Sequence, residues 1–113
     1  RYFAASTGGV NVEGDGARDR RRVEALELKR RMETDYRTRA REVAELARQA
    51  ERLAQDLRHL RSLWREGAVS DHLWNAQREV FARLLEETHR QMDVRRRLLS
   101  IYRRAEPPLD LDR

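Results

Sequence analysis

Apolar residues recur every three or four positions along two long stretches of this chain, which predicts two amphipathic helices. The first stretch shows the spacing most clearly, in Val43, Leu46, Ala50, Leu53, Leu57, Leu60 and Trp64. Steps of three and four residues place one narrow stripe against a partner helix, as in a coiled coil. We therefore predict helix 1 over about residues 18–66.

The second stretch predicts helix 2 from Asp71 to about residue 104, because Pro107 and Pro108 cannot continue a helix. Its apolar positions are Leu73, Val80, Phe81, Leu84, Leu85, Met92, Leu98, Leu99 and Tyr102. We assign all of them to one stripe that faces helix 1. Four polar residues interrupt this stripe, and polar residues in a coiled-coil seam commonly fix its register. They are Gln77, Thr88, Gln91 and Arg95.

A short turn, residues 67–70, separates the two stretches. Gly67 is suited to stopping helix 1, and Ser70 to capping helix 2. Val69 precedes the cap and is placed to pack against Trp74 as a hydrophobic staple. The chain therefore reads as an all-α antiparallel coiled-coil hairpin.

Folding back at Gly67 pairs residues whose numbers add up to roughly 137. This register places Tyr36 opposite Tyr102 and Arg95 near Glu42.

The ends of the chain differ in composition from the two stretches. Four of the five glycines lie in residues 1–17, which predicts a flexible arm, with Asp15 or Asp19 capping helix 1. No GxGxxG or Gly-Lys-Ser/Thr motif accompanies these glycines, so we do not expect them to bind phosphate. Residues 107–113 follow the hairpin of residues 18–106 as a C-terminal tail.

Composition argues against an enzyme. The 113 residues are 39% hydrophobic, 40% charged and only 6% aromatic, which is typical of a coiled coil and leaves little material for a ligand cavity. There is no cysteine, and no run of residues is apolar enough to span a membrane. Ser70, Asp71 and His72 are consecutive on a first helical turn and point in different directions, unlike a catalytic triad. We expect no catalytic residues, cofactor or metal.

Unequal helix lengths suggest a contact surface. Helix 1 extends roughly ten residues beyond the end of helix 2. This overhang carries Val23, Leu26 and Leu28, which helix 2 cannot cover. Exposed apolar residues favour association. We therefore expect a coiled-coil scaffold or assembly subunit, a dimer or part of a larger complex, that contacts its partner through these residues with Arg30 and Arg31.

Charge suggests an alternative. The net charge is +5, and the basic residues are concentrated at the open end of the hairpin. Such a patch would suit nucleic acid. The residues are Arg20, Arg21, Arg22, Arg95, Arg96, Arg97, Arg103 and Arg104.

Two resemblances add further hypotheses. The stretch from Leu60 to Leu85, with Gly67 and Val69-Ser70 at the turn, is similar to the tips of α-helical hairpins in periplasmic adaptor proteins. This resemblance implies a transport protein that binds its partner through turn residues. The order Arg1-Tyr2-Phe3-Ala4-Ala5-Ser6 resembles part of an organellar presequence, although the sequence names no compartment.

Overall fold

The fold is an antiparallel helical hairpin. The computed structural model describes the backbone of residues 2–112 and the side chains of residues 15–112. Within this part of the chain there are two helices, α1 (Tyr2–Arg65) and α2 (Asp71–Arg103). They contact each other near both ends of α2. The predicted all-α coiled-coil hairpin is therefore confirmed.

The start of α1 differs from the prediction. The helix begins at Tyr2 and is continuous through Asp15 and Asp19, so neither aspartate caps its first turn. Asp15 instead forms an exposed ion pair of 4.0 Å with Arg18, one helical turn further along. The predicted flexible arm comprises residues 1–17, and the structure describes the side chains of only residues 15–17 in it. Its flexibility stays a prediction.

The turn forms because α1 ends in a Schellman motif. Gly67 has φ +80°, a left-handed conformation that glycine adopts without steric cost. The Gly67 N–H donates to the Trp64 carbonyl at 3.0 Å, and the Ala68 N–H donates to the Leu63 carbonyl at 2.9 Å. These bonds satisfy carbonyls that the end of a helix leaves unpaired. The predicted role of Gly67 is confirmed.

The start of α2 is fixed by a side-chain cap and by aromatic packing. The Ser70 hydroxyl accepts a hydrogen bond of 3.1 Å from the Leu73 N–H, which confirms Ser70 as the N-cap. Trp74 stacks on Trp64 with ring centroids 5.2 Å apart. The Trp64 Nε1–H also donates to Asp71 at 2.6 Å. The turn thus holds both helices at one end, while the staple from Val69 to Trp74 stays a prediction.

Contacts between the helices follow the predicted register. Tyr36 meets Tyr102 edge to face, with ring centroids 6.0 Å apart. Arg95 lies 3.6 Å from Glu42. Met92 is buried, and so are Tyr36 and Ala50 on α1. The seam between α1 and α2 is therefore the small apolar core of the hairpin.

Beyond α2 the chain folds back along α1. The Asp110 N–H donates to the Glu33 carboxylate, and Arg37 donates to the Asp110 carbonyl at 3.1 Å. Glu33 is buried. The predicted tail, residues 107–113, is thus packed against α1 over the part that the structure describes.

Candidate interaction surface

Two parallel rows of side chains run along α2, where the sequence predicted one stripe. The inner row faces α1 and is buried or half-buried. It consists of Trp74, Phe81, Leu85, Thr88, Met92, Arg95, Leu99 and Tyr102. Leu73, Val80, Leu84 and Leu98 do not belong to it, because each of them is exposed. Their assignment to the seam was therefore wrong.

These four residues belong to an outer row. Its members are Leu73, Gln77, Val80, Leu84, Glu87, Gln91, Val94, Leu98 and Ile101. Their spacing alternates between four and three residues without interruption, which is the spacing of a second coiled-coil seam. Each inner-row residue directly follows an outer-row residue. Since one residue turns an α-helix by about 100°, the outer row lies roughly a quarter turn away from the seam.

The outer row is largely apolar, and its aliphatic members are exposed. Its six aliphatic side chains keep 38–63% of their surface accessible, from Leu98 to Ile101. Exposed Leu or Val residues are ordinary when they are scattered singly. The six lie along one side of the 33 helical residues in two groups, Leu73 to Leu84 and Val94 to Ile101, with Glu87 and Gln91 between them, and exposed apolar groups of this kind are typical of a binding surface. Sequence reasoning missed Val94 and Ile101 entirely as site residues.

A matching row lies on α1, on the same side of the hairpin. This α1 row consists of Leu46, Gln49, Leu53, Asp56, Leu60 and Leu63. Leu60 and Leu63 line one shallow groove with Leu73 and Gln77 of the outer row. The leucines of the α1 row are half-buried, and Gln49 and Asp56 are exposed. Together the two rows give the hairpin one apolar face.

Charged side chains border this face. The residues that precede the outer row form an edge of α2 that points away from α1, and its acids and arginines alternate: Glu79, Arg83, Glu86, Arg90, Asp93 and Arg97. On α1, Glu45 accepts hydrogen bonds from Arg48 at 2.8 Å and from Arg52 at 3.3 Å. These bonds hold the pKa of the Glu45 carboxyl below its usual value.

The predicted overhang is exposed, and the C-terminal tail lies next to part of it. Val23, Leu26 and Leu28 are 47–56% accessible. Leu26 and Leu28 line a hollow of about 300 Å³ whose other wall includes Pro107 and Leu109. The C-terminal tail therefore lies beside the part of α1 that α2 does not cover. The sequence did not predict this position of the tail.

The other predicted contact residues of the overhang are charged. Arg30 and Arg31 are exposed, and Arg31 lies 3.9 Å from Glu27. Nothing in the structure tests whether these residues bind a partner, so their role stays a prediction.

The predicted basic patch does not form one continuous surface of free arginines. Arg95 is half-buried and pairs with Glu42, and the Arg103 guanidinium lies 5.3 Å from the centre of the Tyr36 ring. The remaining arginines of the patch are exposed. Arg95 and Arg103 thus have partners within the hairpin, while nucleic-acid binding by the others stays a prediction.

Residues 15–112 show neither a metal-binding cluster nor a membrane-spanning helix. No group of three or more His, Asp or Glu side chains in that part of the chain is arranged to hold a metal ion. Neither described helix is long and apolar enough to cross a membrane.

The groove on the opposite side of the hairpin combines apolar and charged side chains. Beside the stacked tryptophans it is lined by Leu57 and Ala82 and by Arg58, Arg61 and Arg78.

Comparisons with known proteins give no family. No family model, curated protein or solved structure matches the chain. The geometry of the apolar face is therefore the basis for the functional argument.

Proposed function

We propose that this protein is a non-enzymatic assembly subunit that binds a helical segment of another protein chain through the apolar face. The observation that supports this most is the outer row of α2, because it repeats the spacing of the seam but has no helix packed on it in the hairpin. A third helix can pack on such a row by inserting its own apolar side chains between those of the row, as in a coiled coil.

Burial of the six aliphatic side chains of the outer row would favour association. Fully burying a large aliphatic side chain stabilises by about 1.5–3 kcal/mol, and these six retain roughly half of their surface, so each offers about 1 kcal/mol. Helical bundles usually enclose their core with three or more helices, whereas the hairpin supplies two. A partner helix on the apolar face completes such a core.

Photo-crosslinking tests this proposal in cells of the source organism. A benzoylphenylalanine at Leu84 samples the outer row, and one at His89 samples the opposite side of α2 as a matched control, because His89 is exposed and follows inner-row Thr88. We expect covalent adducts to a second polypeptide at Leu84 and none at His89.

Two results would contradict the proposal. One is the absence of adducts at Leu84, Val94 and Leu98 alike. The other is adduct formation confined to a probe at Ala68 in the exposed turn, which is the result that the resemblance to adaptor hairpins predicts.

A further inference from the structure

We propose that the hollow between α1 and the C-terminal tail binds one molecule of an anionic amphiphile, an acyl chain that ends in a carboxylate. This tail hollow has a volume of about 300 Å³ and is lined by residues between Arg22 and Met32 of α1 and between Ala105 and Leu109 of the tail. It shares no residue with the inner row, the outer row or the α1 row. The proposal is therefore independent of the proposed function.

The tail is held against α1 at one end of the tail hollow. The Asp110 N–H donates to the carboxylate of buried Glu33, and Arg37 donates to the Asp110 carbonyl at 3.1 Å. These bonds hold the chain one residue beyond Leu109, which is half-buried, and one residue from Met32. Both walls are thus in place before a ligand arrives, and a site that does not have to be ordered binds at a lower cost.

Apolar side chains make up most of the lining of the tail hollow. They are Ala25, Leu26, Leu28 and Met32 from α1 and Pro107 and Leu109 from the tail. An acyl chain gains free energy when it moves from water onto such a surface. The volume is at the lower end of the range for small-molecule sites, so one acyl chain fills it, whereas a helix would only lie across its mouth.

The basic residues of the lining complement a negatively charged head group. Arg22 and Lys29 are two helical turns apart and lie on the same face of α1. Arg31 nearby pairs with Glu27, whereas Arg22 and Lys29 form no ion pair within residues 15–112. Lys29 is half-buried, and an anion interacts more strongly with a partly desolvated cation than with one in open solvent. A carboxylate is therefore the head group that this end of the hollow favours.

Glu106 is the one acid of the lining, and it is exposed. Its carboxylate opposes an anionic head group, since like charges repel. The lining thus contains two bases and one acid, and the proposal predicts opposite effects when a base or the acid is replaced.

Methionine methyl NMR locates the ligand, because the chain has only two methionines. Met32 lines the tail hollow, whereas Met92 is buried in the seam between α1 and α2. Purified full-length protein with isotope-labelled methionine methyl groups is titrated with decanoate below its micelle concentration. We expect the Met32 signal to shift and to saturate at one decanoate per chain, while the Met92 signal stays in place. A Met32 signal that does not move, or an equal shift of Met92, would overturn the proposal.

Charge reversal in the lining tests the head group. Lys29→Glu should weaken decanoate binding by on the order of tenfold, because it replaces attraction by repulsion. Arg31→Glu is the matched control, since residue 31 points to the other side of α1 and makes the same change in net charge. We expect this control to change the affinity by less than about twofold. Equal losses for the two variants would contradict a specific contact between Lys29 and the carboxylate.

Glu106→Gln provides a test with the opposite sign. It should strengthen decanoate binding by about twofold, because it removes a repulsive charge. Decanol has the same chain without the charge, so we expect it to bind more weakly than decanoate and to respond to neither Lys29→Glu nor Glu106→Gln. Decanol that binds as tightly as decanoate would overturn the assignment of an anionic ligand.

Leu109→Asp tests the wall that the tail supplies. It should abolish the Met32 shift with decanoate and with decanol alike, while circular dichroism shows the helix content of the wild type, because residue 109 lies outside both helices. Unchanged decanoate binding by this variant would show that the tail does not form the site.

Vesicles of anionic phospholipid separate a free amphiphile from a membrane surface. We expect decanoate to shift the Met32 signal in the absence of vesicles, since the tail hollow accepts a single chain. Binding to vesicles by a protein whose Met32 signal does not respond to decanoate would overturn the proposal in favour of a membrane surface.

Discussion

The inner and outer rows of α2 share a period of 3.5 residues and are both rich in apolar side chains, but they differ in what covers them. Met92 of the inner row is 5% exposed, whereas Leu84 of the outer row is 47% exposed. The two rows are one residue apart, so the helix itself does not favour either. Packing against α1 makes one row the core and leaves the other as a surface. Apolar periodicity alone therefore does not reveal which residues fold a protein and which bind its partner.

Truncating one side chain in each row should produce the largest contrast in stability. We expect Met92→Ala to lower the free energy of unfolding by about 2–5 kcal/mol, because it empties a buried site. Leu84→Ala removes atoms that solvent already reaches, and it should cost below about 1 kcal/mol in the dissociated protein. Urea unfolding followed by circular dichroism, at concentrations where the mass is that of one chain, measures both. Equal losses would contradict the distinction between the rows.

The turn fixes the register in which the two helices pair. Gly67→Ala should destabilise the hairpin by about 1–2 kcal/mol, since alanine is strained at φ +80°. No atom outside the turn lies within 4 Å of the added Cβ, so the cost is in the backbone and not in packing.

Gly16→Ala is the matched control for the turn. Gly16 lies in α1 with open space around its Cβ position, and alanine there should stabilise by about 0.5–1 kcal/mol. The same urea titration compares the two variants. A shift of the same sign for both would contradict a specific requirement for glycine at position 67.

The N-cap makes a smaller contribution to the same register. Ser70→Ala should cost about 1 kcal/mol, because the Leu73 N–H loses its acceptor. Ser62→Ala, at an exposed position inside α1, should be neutral or slightly stabilising. Thermal unfolding of both variants measures the difference, and equal melting temperatures would show that the cap contributes nothing.

The smallest expected effect concerns pH. Hydrogen bonds from Arg48 and Arg52 lower the pKa of Glu45 in the folded protein. A lowered pKa contributes stability above the unfolded value of 4.5, and this stability is lost as the pH falls through the folded value. We therefore expect the stability difference between wild type and Glu45→Gln to shrink on acidification. A difference that stays constant across this range would contradict the proposed hydrogen-bonded cluster.

The sequence predicted the features of this fold that depend on local chemistry. Gly67 and Ser70 specify the turn through their own conformational preferences, and the turn then sets the pairing of Tyr36 with Tyr102. The same register placed Arg95 beside Glu42.

Other features depend on packing and were not predicted. Val80 and Phe81 are adjacent and both apolar, and a period of 3.5 residues accommodates either in the seam. Only the contact with α1 decides between them. The width of the pattern was nevertheless a usable signal, because a coiled-coil seam alone needs a narrower apolar stripe than α2 carries.

Thiol labelling of the outer row in cells of the source organism tests the central claim most directly. Val94→Cys samples the outer row, and His89→Cys samples the opposite side of the same helix; both positions are exposed in the hairpin. We predict that a cell-permeable maleimide labels Val94→Cys at least tenfold more slowly than His89→Cys in cells, and that the two rates become similar in the dilute, dissociated protein. Equal labelling rates in cells would show that the outer row stays open to solvent, and they would contradict its role as an interface.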